Sequence, residues 1–191
     1  MNLANKLTML RIILVPFFVL FMLTDGVIPH SYLWAAIIFA LASITDTADG
    51  KIARKYNMIT DFGKFLDPLA DKVLVVAALI CFVQLGWCSA WVVVIIVARE
   101  FMVSGVRLVA AGSEKKIVIA ASIWGKLKTA ATMIAISAII ILHICVGFGA
   151  FTVDSFPVQL ISDVLMYISC ILTVISGIKY LWDYREFFRI S

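Results

Sequence analysis

The chain of 191 residues has the length of one or two domains. Its residues are 63% hydrophobic and 15% charged, far from the roughly 45–50% and 25% of soluble domains, and its mean hydropathy is +1.07, so a water-soluble globule is excluded. The formal charge of +4 comes from 16 basic and 12 acidic residues, but a nucleic-acid binder needs a solvated basic face that this composition cannot supply.

The apolar residues suffice for about six membrane spans of about 20 residues each. Taken in chain order, the long apolar runs predict helices at Leu7 to Leu23, Ser31 to Arg54, Asp61 to Leu85, Trp87 to Ala110, Ser122 to Phe148 and Val158 to Trp182. Breakers separate them: Asp25-Gly26 with Pro29, Gly86, Gly112-Ser113, Gly147 with Gly149, and Pro157. Pro16 lies inside the first run and predicts a kink. That run resembles a signal peptide in its basic start, yet no small-residue cleavage site follows and five further spans come after it, so it is read as a retained helix.

Basic residues near span ends stay on the cytoplasmic side. Thr24 to His30, Gly86 to Ser89 and Val146 to Pro157 contain no Lys or Arg. Lys51, Arg54, Lys55 and Lys64 cluster at the second-to-third turn, Lys115, Lys116, Lys126 and Lys128 at the fourth-to-fifth, and Lys179, Arg185 and Arg189 near the C-terminus. The expected architecture is an all-α integral membrane protein: six transmembrane helices in one domain over residues 1–191, both termini cytoplasmic. Cys81, Cys88, Cys145 and Cys170 lack CxxC spacing and read as small hydrophobes. With His30 and His143 the only histidines, any metal would have to be held by carboxylates.

Five of the 12 acids, Asp46, Asp49, Asp61, Asp67 and Asp71, fall between Thr45 and Lys72. Asp46 and Asp49 are three apart and Asp67 and Asp71 four apart, so each pair shares a helix face. Both pairs begin about 20 Å from the outer ends of their apolar runs, in the cytoplasmic third of a core about 30 Å thick. Each charge facing lipid at mid-helix costs about 3 kcal/mol, which turns these acids toward the bundle interior or a wet cavity. Pairing with Lys51, Arg54, Lys64 and Lys72 is the plainer account of them. Like charges on facing helices repel, however, and hard oxygen donors without His or Cys favour Mg²⁺ or Mn²⁺ over zinc.

In full the pattern is Asp46-x2-Asp49-Gly50-x2-Ala53-Arg54-x8-Gly63-x3-Asp67-x3-Asp71. It resembles, at every defined position, the signature of the CDP-alcohol phosphotransferase family of phospholipid-synthesising membrane enzymes, and the six-span layout is similar to that family across the chain. Gly50 and Gly63 remove side chains beside the acids, allowing a nucleotide or facing backbone to approach. Arg54 at the membrane edge can offer a fork to phosphate oxygens or serve as an interfacial anchor. Pro68 fits either a kink or a late helix start. The resemblance implies two Mg²⁺ or Mn²⁺ ions held by Asp46, Asp49, Asp67 and Asp71, with Asp71 also the general base. It implies a CDP-linked lipid bound at Asp49, Gly50, Arg54 and Gly63, CMP as leaving group, and a homodimer in the cell membrane with its active site toward the cytoplasm.

Within that family the acceptor alcohol varies. Arg99 and Arg107 lie in the fourth span, eight residues apart and about 80° around the helix, with Ser104 between them. Charges at that depth need an anionic partner. Glu100 is a candidate partner for Arg99, whereas Arg107, Lys126 and Lys128 have no acid so close in sequence, which points to an acceptor carrying its own phosphate. The segments AREFMVSGVR, GKLKT and NKLTMLRI are similar to the phosphatidylglycerophosphate-forming branch of the family, which implies glycerol 3-phosphate as acceptor and CDP-diacylglycerol as donor. Asn5, Thr8 and Arg11 recur at helical spacing at the entry of the first span, where they either close over the cytidine or anchor the helix.

Other acceptors, as in cardiolipin, phosphatidylserine or inositol-phosphate lipid synthesis, would use the same core with a different pocket. A divalent-cation transporter would also place acids in the membrane, but inverted halves are missing because the acids have no counterpart in the last two spans. A non-catalytic scaffold would not require acids at all four positions. Asp163 stands isolated in the last span.

Overall fold

The computed structural model describes residues 3–56, 61–112, 123–150 and 156–183; the side chains of residues 3–7, 46–56, 61–69, 71 and 108–112 are outside the description. The described residues form six α-helices and no strand: α1 (Leu3–Leu23), α2 (Ser31–Tyr56), α3 (Asp61–Gln84), α4 (Ala90–Gly112), α5 (Ile123–Gly147) and α6 (Val158–Asp183). Each stands where an apolar run predicts it, and the described turns contain the predicted breakers Gly26, Pro29, Gly86, Gly149 and Pro157. Gly26 and Gly86 take left-handed φ of 80° and 74°, a conformation that costs a side-chain-bearing residue most.

The largest differences from the sequence reading are at the starts of two helices. The fourth helix starts at Ala90 rather than Trp87, because Gly86 turns the chain and Ser89 takes the cap position, its carbonyl accepting from Val93 N. The first helix begins at Leu3 and runs on across Pro16, whose missing N–H removes one backbone donor without ending it. α3 is already helical at Asp61, so Pro68 lies inside a helix and a late start is excluded.

The chain packs as two compact units, residues 1–85 with 137–158, and residues 86–136 with 159–191. In the first, α1 packs along both α2 and α3. Its buried stripe is Thr8, Arg11, Val15, Phe18 and Met22, at alternating spacings of three and four that keep one helix face inward. α2 answers with Ala35, Phe39 and Ala42, and α3 with Ala70, Leu74 and Ala78. The small alanines let helix axes approach, and Phe18 fills the space against Phe39 with ring centroids 5.7 Å apart.

In the second unit, α6 is built inside out. Its buried positions include Ser162, Ser169, Thr173 and Ser176, while Leu160, Ile171 and Ile178 are about 60% exposed. Small hydroxyl residues suit close helix contacts in an apolar medium, where hydration offers no competing partner. Thr132 of α5 and Ser169 of α6 accordingly hydrogen-bond across the contact at 2.6 Å. α5 and α6 are long and apolar enough to cross a membrane. Shorter apolar stretches lie at Thr8–Leu23, Ser31–Thr45 and Lys72–Gln84 among the described residues.

A double-mutant cycle of Thr132→Val and Ser169→Ala, read by thermal unfolding in detergent, is expected to return a coupling of about 0.6 kcal/mol.

Candidate active site

The predicted metal ligands belong to two consecutive helices of the first unit. Asp46 and Asp49 lie on α2, Asp67 and Asp71 on α3, and the two helices touch. Only residues 57–60 join them, so Tyr56 and Asp61 are at most about 18 Å apart. Counted back from Tyr56, Asp49 and Asp46 lie about 10 and 15 Å up α2; counted forward from Asp61, Asp67 and Asp71 lie about 9 and 15 Å up α3. Asp49 and Asp67 thus lie at similar distances along their helices from the connection, and so do Asp46 and Asp71. Gly63 precedes Asp67 by four residues and shares its face. The side chains of Asn5, Asp46, Asp49, Arg54, Asp67 and Asp71 lie outside the described residues, as do the surroundings of Gly50 and Gly63. Among the described residues no group of three or more His, Cys, Asp or Glu converges, and the four-carboxylate set is chemically suited to a hard divalent cation.

α1 brings polar groups to this end of the first unit. Thr8 is completely buried and Arg11 nearly so. Arg11 Nε donates to the carbonyl oxygen of Ala42 over a long 3.4 Å, and Ala42 is one helical turn before Asp46. A buried guanidinium thus sits beside the helix segment that carries the first carboxylate. The helical spacing of Asn5, Thr8 and Arg11 signals a shared face, but only packing identifies α2 as what that face meets.

The predicted acceptor site belongs to the second unit. Glu100 Oε1 forms an ion pair with Lys128 and lies 3.6 Å from Arg99 Nη1. Lys128 is 5% exposed, so this pair is deep. Lys128 has no acid close in sequence, but the fold supplies one 28 residues away, where α4 and α5 meet. Lys126 is exposed. The Ser104 hydroxyl, placed between the two arginines in sequence, donates back to the Glu100 carbonyl at 2.8 Å.

The two arginines remain undersupplied. The Nε atoms of both Arg99 and Arg107 are buried without a hydrogen-bond partner, and the two side chains lie within electrostatic reach of each other. Against Arg99, Arg107 and Lys128 stands the single carboxylate of Glu100, leaving two positive charges uncompensated among these four groups. Buried cations with unmet donors are costly, and an anion with several acceptor oxygens is what would satisfy them. Sequence reasoning missed two further neighbours, Gly177 and Tyr180 of α6. Arg107 Cζ lies 5.7 Å from the Tyr180 ring centroid, and Arg99 packs on Gly177.

Comparison with known proteins agrees with the carboxylate pattern. The CDP-alcohol phosphatidyltransferase family model matches residues 1–175. The chain is 45% identical to the CDP-diacylglycerol--glycerol-3-phosphate 3-phosphatidyltransferase of Bacillus subtilis (strain 168), over 96% of this chain and 93% of that protein. It is 35% identical to the protein of the same name from Rickettsia bellii (strain RML369-C), over 98% and 97%. It is 42% identical to a probable phosphatidylglycerophosphate synthase of Mycobacterium tuberculosis (strain ATCC 25618 / H37Rv), over 94% and 79%. With a family signature complete between Asp46 and Asp71 and a family match over nearly the whole chain, this protein belongs to the CDP-alcohol phosphatidyltransferase family.

Proposed function

We propose that this chain, a membrane protein, transfers the phosphatidyl group of CDP-diacylglycerol to glycerol 3-phosphate, giving phosphatidylglycerophosphate and CMP. The observation that carries the acceptor assignment is the pair of buried, unpartnered Nε atoms on Arg99 and Arg107. A neutral acceptor would leave those donors unmet; a phosphate monoester dianion matches both their hydrogen-bonding need and the surplus of two positive charges. Full-length relatives named for this reaction support the same reading.

Asp46, Asp49, Asp67 and Asp71 are the residues that would hold two Mg²⁺ or Mn²⁺ ions, which when bound would neutralise pyrophosphate charge and stabilise the charge developing during transfer. Asp71 accepts the proton of the acceptor hydroxyl. The freed oxygen attacks the lipid-bearing phosphorus, the bond from that phosphorus to the bridging oxygen breaks, and CMP leaves with the electron pair. Asn5, Thr8, Asp49, Gly50, Arg54 and Gly63 bind the CDP-lipid, and Arg99, Arg107, Lys126 and Lys128 bind the acceptor phosphate. Positioning and electrostatics supply most of the acceleration, as is usual in phosphoryl transfer.

The reaction is assigned to one domain, residues 1–191, crossing the cell membrane six times with both termini and the carboxylate turn in the cytoplasm. The supporting feature is the placement of basic residues: the turns after α1, α3 and α5 carry no Lys or Arg in their predicted spans. A homodimer is the assembly that the family resemblance implies.

Initial rates of CMP release by detergent-purified protein test this assignment. With CDP-diacylglycerol, glycerol 3-phosphate and Mg²⁺, release is expected to require all three. Asp71→Asn is expected to lower kcat by at least about 10²–10⁴-fold; release without glycerol 3-phosphate, or undiminished in Asp71→Asn, would sink the mechanism.

Chelation should abolish activity, and Mg²⁺ or Mn²⁺ but not Ca²⁺ should restore it, since the larger ion takes more ligands at longer range. Arg107→Ala is expected to raise KM for glycerol 3-phosphate about 10- to 100-fold while leaving KM for CDP-diacylglycerol near its starting value. Turnover with serine or free glycerol in place of glycerol 3-phosphate would keep the carboxylate assignment and overturn the acceptor one.

A further inference from the structure

The face of α6 behind the two arginines has no part in the reaction as described so far. Gly177 and Tyr180 are three residues apart on it and both are buried. A methyl group added at Gly177 would lie 3.1 Å from Cγ of Arg99 and 3.8 Å from its Nε, the first closer than the roughly 3.5–4.0 Å of a relaxed carbon contact. The stem of Arg99 thus occupies the room that a side chain at 177 would take, in the interior of a helix where glycine is a poorer former than alanine. Tyr180 offers its ring to the guanidinium of Arg107 at 5.7 Å from the centroid, within cation–π range.

Both contacts leave hydrogen-bonding edges unused. α6 touches Arg99 along its aliphatic stem and Arg107 beside an aromatic ring, while the two Nε donors stay unpartnered. Arg99 and Arg107 leave α4 about 12 Å apart along its axis, whereas the α6 residues they touch are about 4.5 Å apart along theirs, so α6 meets both side chains within one of its own turns.

We propose that Gly177 and Tyr180 are positioning residues that set the spacing of the Arg99 and Arg107 forks, and thereby select an acceptor alcohol carrying a phosphate monoester. The proposal rests on the reading of those two arginines as the acceptor-phosphate site. Neither α6 residue needs to touch substrate. Their effect belongs in KM for the phosphorylated acceptor, not in the chemical step.

The test uses the full-length purified protein and initial rates of CMP release over a glycerol 3-phosphate series. Gly177→Ala is expected to raise KM for glycerol 3-phosphate about five-fold, with kcat and KM for CDP-diacylglycerol changed by less than about two-fold. Combined with Arg99→Ala it should add nothing further, because the side chain it displaces is gone. Tyr180→Leu is expected to raise the same KM about five-fold while Tyr180→Phe, which keeps the ring, restores it; this pair decides the matter if Gly177→Ala does not yield folded protein. If Arg99→Ala leaves KM for glycerol 3-phosphate unchanged, the acceptor-phosphate reading falls and this proposal with it. If Arg99→Ala raises KM but Gly177→Ala does not, or acts equally with Arg99 absent, the positioning proposal alone is overturned. A Tyr180→Phe as impaired as Tyr180→Leu would equally remove Tyr180 from it.

Discussion

A charge held among apolar helices must find an opposite charge or a full set of hydrogen bonds, and this requirement orders both halves of the protein. In the second unit, Lys128 and Arg99 share a single carboxylate, that of Glu100. Arg107 has an aromatic ring beside it but an unpartnered Nε. The imbalance is the chemically informative feature. A fold selected only for stability would pair these donors or replace them with apolar groups of similar size, whereas a site for an anion keeps them unmet until the ligand arrives.

The first unit poses the opposite problem. α2 and α3 carry the four aspartates of the predicted metal site between them, and on the described face of α1 Arg11 already donates to the carbonyl of Ala42. The family to which the chain belongs handles CDP-linked substrates, whose pyrophosphate adds further negative charge. On the proposed reading, divalent cations held by the four aspartates would offset both sets of negative charge.

Space is controlled by small residues rather than by large ones. Ala35 and Ala42 of α2 are fully buried against the large side chains of the first unit, and hydroxyl residues line the buried face of α6. Such residues let backbones approach in a medium where the hydrophobic effect does not press helices together. Gly177 extends the same logic to function, since the room it leaves is taken up by a charged side chain rather than by another helix.

Much of this was legible in the residues alone. Helix number and position followed from apolar runs and breakers, because a helix crossing lipid must satisfy its backbone internally and therefore spans an unbroken stretch. The carboxylate pairs followed from spacings of three and four within consecutive helices, where local geometry dictates a common face. The similar distances of Asp46 and Asp71, and of Asp49 and Asp67, from the connection required the end points of α2 and α3, which periodicity leaves uncertain by a few residues. The partner of Lys128 was invisible because Glu100 is 28 residues away, and no pattern within α4 or α5 encodes how those helices rotate against each other. Gly177 and Tyr180 were missed for the same reason. Sequence by itself determined the helices, the reaction family and the order of charges along each helix, all local properties of the chain. Tertiary packing alone decided which cations are paired and which keep a buried donor without a partner, since that depends on contacts among α4, α5 and α6 that are distant along the chain.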